Sequence, residues 1–161
     1  MQDPLDKVKA LDDDTINNLQ KRLATVNPTE LNKIYSDYGG LINKLILLCL
    51  KQTKDESEKV ELECIKRIVN LTPSDERFLR SKDKIWAVRS YILEKKEDYF
   101  LKKDYGHLIK KDRNQAMLET IMAIAKNGFK RLTPIEKDAY WTIGTDLLRL
   151  IAQFKKMTGE N

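Results

Sequence analysis

The chain is poor in the residues that carry most site chemistry. Its 161 residues include one histidine, His107, and two cysteines, Cys49 and Cys64. A histidine-based metal site needs further ligands at helical or knuckle spacing, and no HExxH, CxxC or Cys/His cluster is present. Two thiols in a chain of this size also exclude a disulfide scaffold. Cys49 and Cys64 lie among apolar residues and read as inward-facing thiols in a reducing compartment. Apolar surroundings raise a thiol pKa, which argues against a nucleophile.

Glycine and proline are scarce, at six and four, so the chain has few tight turns to offer. No stretch alternates apolar and polar residues as a half-buried strand does. No glycine-rich phosphate loop occurs, because no Walker lysine follows Gly39-Gly40 and no GxGxxG is present. Asp12-Asp13-Asp14 lacks the spaced oxygen ligands of a calcium loop. It reads instead as helix-start chemistry. The expectation is therefore no enzyme, no catalytic residue, no metal and no cofactor.

Long hydrophobic runs are missing too. The most apolar stretch, Leu41–Leu50, has eight apolar positions in ten, about half of the roughly 20 residues that a membrane span needs. Met1-Gln2-Asp3-Pro4 carries acid where a secretion signal has basic and then apolar residues. These features read as a soluble, unanchored protein of the cytoplasm, the nucleus or an assembled particle, not a secreted one.

What the chain has in quantity is helix grammar. Apolar residues make up 41% and charged residues 34%, with both signs interleaved. That balance favours a folded core over disorder. Asp3-Pro4, Asn27-Pro28-Thr29-Glu30, Thr72-Pro73-Ser74-Asp75 and Thr133-Pro134-Ile135-Glu136 are all helix-start signals: a capping side chain, a proline in the first turn, then acid. Leu71-Thr72-Pro73 and Leu132-Thr133-Pro134 recur 61 positions apart, which two independent uses of one cap explain.

Stripes at helical spacing follow each start. They are Leu5, Val8, Leu11; Ile16, Leu19, Leu23, Val26; and Leu31, Ile34, Tyr35, Tyr38, with Gly39-Gly40 expected to end that helix. Next come the run near 41–53, then Val60, Cys64, Ile65, Ile68, Val69. Phe78, Ile85, Val88, Ile92, Tyr99, Phe100 form one long stripe with a potential break near Ser81–Asp83. Met117, Leu118, Ile121, Met122, Ile124 precede a stop at Asn127-Gly128. Ile135, Trp141, Ile143, Leu147, Leu150, Ile151, Phe154 close the series. The pattern predicts an all-α fold: a single compact bundle of about six to eight helices around an apolar central helix near 41–53, with 1–161 as one domain.

Charge is unevenly spread over a formal net of +5. Residues 1–30 hold four bases and six acids, whereas 106–131 hold six bases and two acids. Lys102, Lys103, Lys110, Lys111, Arg113, Lys126, Lys130 and Arg131, with aromatic residues interleaved, make a candidate phosphate-binding segment. Trp86, with Arg89 nearby, is a candidate protein-interface anchor weighed against a core role. The acidic and basic ends also suit head-to-tail pairing between copies. The first reading is a non-catalytic protein acting through protein contacts or self-association, as an adaptor or a small structural subunit, for instance of a capsid-type particle. The alternative is a helical nucleic-acid-binding domain. Neither a membrane nor a small-molecule substrate is implied.

Overall fold

A computed structural model describes residues 3–9, 11–71, 73–103 and 126–160. Among these the chain is helical throughout, with no strand, and it packs as an all-α bundle. A 3-10 turn, Pro4–Lys7, leads into α1 (Asp13–Leu23), α2 (Pro28–Gln52), α3 (Glu56–Leu71), α4 (Ser74–Ala87), α5 (Arg89–Leu93) and α6 (Glu97–Lys102). Residues 126–130 are helical, and α7 (Pro134–Thr158) follows.

Local chemistry sets several of these boundaries. Asp3 accepts from the Leu5 N–H at 2.9 Å, and Asp12 accepts from the Thr15 N–H at 2.7 Å. Each anchors an otherwise orphaned donor of a first turn. Thr133 and Glu136 form the reciprocal capping box: Thr133 Oγ1 accepts from the Glu136 N–H and Glu136 Oε1 accepts from the Thr133 N–H. Gly159, at φ 75°, closes α7 in the left-handed conformation that glycine adopts without a Cβ clash.

Four boundaries differ from the sequence expectation. Gly39-Gly40 does not end a helix; α2 runs through it for 25 residues. Gly39 lies where α4 crosses, and a Cβ there would sit 2.9 Å from Ser74 Oγ. Asn27 takes a left-handed conformation and makes no side-chain cap, so its box with Glu30 is not formed. The long stripe from Phe78 is three helices, not one bent at Ser81–Asp83. The breaks fall at Val88 and at Lys95, whose φ is 54°. Gly128 lies inside the helical residues 126–130 and does not stop them.

α2 is the central helix and packs on α7, α4 and α3. The main core gathers Ile16, Leu31, Ile34, Tyr38, Phe78, Leu79, Ile151 and Phe154. Phe78, with no exposed surface, meets Tyr35, Tyr38 and Phe154 at ring separations of 5.1 to 5.7 Å. A smaller cluster joins Leu5, Val88, Ile92 and Leu148. The best-covered part of α2 is therefore its first half. Beyond Leu41 the apolar run is half-covered, and Leu47 is 50% exposed. Ile135, expected inside, is exposed, while Leu148 is buried.

Candidate functional site

The candidate residues fall on three separate surfaces. The basic segment is the first. Lys110, Lys111 and Arg113 lie outside the described residues. Lys102, Lys130 and Arg131 are exposed. Lys103 is not available as a free phosphate ligand. Its ammonium bridges Asp3 at 3.1 Å and Asp6 at 2.7 Å, which ties the N-terminal turn to the end of α6. The Lys126 ammonium donates to the Lys103 carbonyl at 2.5 Å. Acid and base attract here as the sequence suggests, but at Lys103 they meet within one chain, not between copies.

Protonation follows this geometry. Burial disfavours the charged form of Asp3, yet hydrogen bonds from the Tyr99 hydroxyl and the Leu5 N–H, with the Lys103 ammonium, outweigh it and hold the carboxyl below its usual range. Burial likewise opposes the Lys103 charge, and the bonds to Asp6 and Asp3 outweigh it and raise the lysine.

The second surface surrounds Trp86. The indole is half-buried and packs against both apolar clusters. Two cations flank it: the Arg89 guanidinium at 5.0 Å and the Lys155 ammonium at 5.3 Å from the ring centroid. Arg89 also donates to the Trp86 carbonyl at 2.8 Å. Trp86 thus joins α4 to the C-terminal turn of α7. Behind it, Lys82 is buried, contacts Asp83 at 3.0 Å and Glu160 at 3.6 Å, and lies over the Phe154 ring.

The third surface is α3, whose expected inward face of Val60, Cys64, Ile65, Ile68 and Val69 is met at Ile65 and not at Val60 or Cys64. The face expected to be buried includes Val60 and Cys64, both of which are exposed. The inward residues are Leu62 and Ile65, at 2% and 3% exposure. At about 100° per residue, Val60, Cys64, Arg67 and Leu71 fall within about 60° of arc, opposite Leu62 and Ile65. Val60 is 63% exposed and Leu71 82%. This helix carries exposed apolar residues, with Arg67 among them, opposite its buried ones, and among the described residues its one substantial packing partner is α2. Apolar residues on both sides give α3 two candidate inward stripes, and β-branched Val60 resembles a core residue as much as Leu62 does.

The other thiol is shielded. Cys49 is half-buried, with Sγ 3.6 Å from the Tyr140 hydroxyl. Burial pushes the Cys49 thiol up, against a smaller lowering from that contact. Tyr140 is raised strongly by burial and by Cys49, and its hydroxyl donates to Gln52 Oε1 at 3.0 Å. This network joins the end of α2 to the start of α7. A cleft of about 430 Å³ between α2 and α7 is lined by Asp37, Lys44, Asp146 and Arg149. Its charges balance, and Arg149 pairs with Asp146 at 3.1 Å. Among the described residues, no group of three or more His, Cys, Asp or Glu is placed to hold a metal ion. Among the same residues, no helix is long and apolar enough to cross a membrane.

No protein-family model, no curated protein and no solved structure matches this chain.

Proposed function

We propose that this chain is a non-catalytic helical protein that works through contacts with other protein chains, as an adaptor or as a small structural subunit of a larger intracellular or particle-borne assembly. The observation that supports this reading is the outer face of α3. A helix apolar on two opposite sides is normally covered on both, and contiguous exposed apolar surface marks interaction sites. Val60 and Leu71 sit on that uncovered side.

The basic segment supports nucleic-acid binding less well. Lys103 is committed to Asp3 and Asp6, and Lys126 reaches the Lys103 carbonyl. Trp86 is likewise engaged with Arg89 and Lys155.

The test is site-specific photocrosslinking in the source cells. A photoreactive amino acid replaces Val60 or Leu71, and a control replaces exposed Glu30 on α2. The reading expects discrete adducts to protein chains from the α3 positions and few from Glu30. Equal, diffuse labelling from all three positions would refute it.

A further inference from the structure

We infer that the outer face of α3 pairs with the same face of a second copy of this chain, the two helices running antiparallel. The inference rests on the proposed role in protein contacts and names the partner.

Three features carry it. The first is the stripe of Val60, Cys64 and Leu71, exposed and covered by no element among the described residues, opposite the side that α3 packs on α2. It runs almost the full length of the helix. The second is the charge order along α3. Its first half, Glu56–Glu63, carries one base, Lys59, and four acids, of which Glu56, Glu61 and Glu63 are exposed and Glu58 turns toward the α2 side. Its second half, from Cys64 to Leu71, carries Lys66 and Arg67 and no acid, with Arg67 on the outer arc and Lys66 turned about 130° from its centre. An antiparallel pair sets the acidic half of each copy against the basic half of the other. A parallel pair would set like on like. The third is symmetry. A two-fold pairing is self-complementary, each contact occurring twice, and it closes at two chains. The helix midpoint lies between Glu63 and Cys64, so Cys64 falls beside the two-fold axis. Arg67, on the same arc as the apolar residues, then faces the acidic half of its neighbour. Opposite charges flanking an apolar seam set partner choice and orientation between paired helices.

The purified full chain is tested by light scattering across a concentration series. The wild type is expected to approach twice the chain mass. The double variant Val60→Asp, Leu71→Asp is expected to stay at the single-chain mass with unchanged helicity, since both side chains are exposed. Two charge variants sharpen the test. Lys66→Glu with Arg67→Glu makes both halves of α3 acidic, and Glu61→Lys with Glu63→Lys makes the first half basic as well as the second. Each alone is expected to be monomeric, and their mixture dimeric. A wild type that stays monomeric into the millimolar range overturns the inference. A dimer that survives Val60→Asp, Leu71→Asp, or charge variants that do not restore pairing when mixed, overturns it as well. Wild-type monomers together with photocrosslinks from α3 onto other proteins would leave the proposed function standing with a different partner. Loss of both would remove both.

Discussion

Replacing Gly40 by alanine should stabilise the protein, and replacing its neighbour Gly39 should not. Both glycines lie inside α2. In a helix interior, alanine is favoured over glycine by about 1 kcal/mol, because glycine loses more backbone freedom on folding. A Cβ on Gly40 meets nothing within 4 Å, so that gain is realised in full. A Cβ on Gly39 would lie 2.9 Å from Ser74 Oγ and 3.6 Å from the Arg77 guanidinium. Ser74 Oγ accepts from Arg77 at 3.1 Å, so moving it weakens that bond and shifts the start of α4. Overpacking of this kind costs about 1–3 kcal/mol and cancels or exceeds the helical gain. Thermal unfolding followed by far-UV circular dichroism reads both. For a chain of this length, 1 kcal/mol corresponds to roughly 2–4 °C in Tm. Gly40→Ala is expected to raise Tm by that amount, with Gly39→Ala at or below the wild type. If Gly40→Ala lowers Tm, Gly40 occupies a left-handed cap, the helix ends there, and the continuous α2 is wrong.

Other outcomes follow from contacts already described. Trp86→Ala should cost about 2 kcal/mol, below the 3–5 kcal/mol of a fully buried aromatic, because the indole is only half-buried; urea unfolding measures this, and an unchanged midpoint would make Trp86 a surface residue. Thr133→Ala removes half of the α7 capping box and should cost about 1 kcal/mol, with Thr133→Ser recovering most of it in the same assay. The tie between the N-terminal turn and α6 is expected to respond to pH at both ends. Asp3 is lowered in the folded protein, so its contribution is present above its ordinary value of 3.8 and is lost as pH falls through the folded value. Lys103 is raised, so its contribution is present below its ordinary value of 10.5 and is lost as pH rises through the folded value. Hydrogen exchange at the Leu5 and Asp6 amides should show both losses in wild type, and neither in the double variant Asp3→Asn, Lys103→Gln.

The fold class was legible because helix signals are local. Three of the start signals, at Asp3, Asp12 and Thr133, work through side chains two or three residues from the donor they satisfy. What was illegible depends on which element lies opposite. Gly39-Gly40 looks like a stop until α4 is seen pressed against Gly39. Val88 and Lys95 break a stripe whose apolar period continues across both positions, so periodicity alone reads one helix. On α3 both sides carry apolar residues, Val60, Cys64 and Leu71 on one and Leu62 and Ile65 on the other, and the position of α2 decides that Leu62 and Ile65 go inward. The basic segment was visible as composition, but the commitment of Lys103 to Asp3 and Asp6 spans nearly a hundred residues of sequence. No pattern within a single helix reports such a pair.

The proposed antiparallel meeting of two copies along α3 fixes an intermolecular distance that can be measured. With Cys49 and Cys64 replaced by serine, a nitroxide is placed on Glu63→Cys or on Asn70→Cys, both exposed positions. Pulsed electron paramagnetic resonance then reads the spacing between copies. At a rise of about 1.5 Å per residue, the antiparallel pair separates the two labels along the helix axes by about 2 Å at position 63 and about 20 Å at position 70. Antiparallel pairing gives a short distance at 63 and one clearly longer at 70. Equal distances at both positions would mean parallel pairing, and no dipolar coupling at either would mean that the copies do not meet on α3. Either result contradicts it.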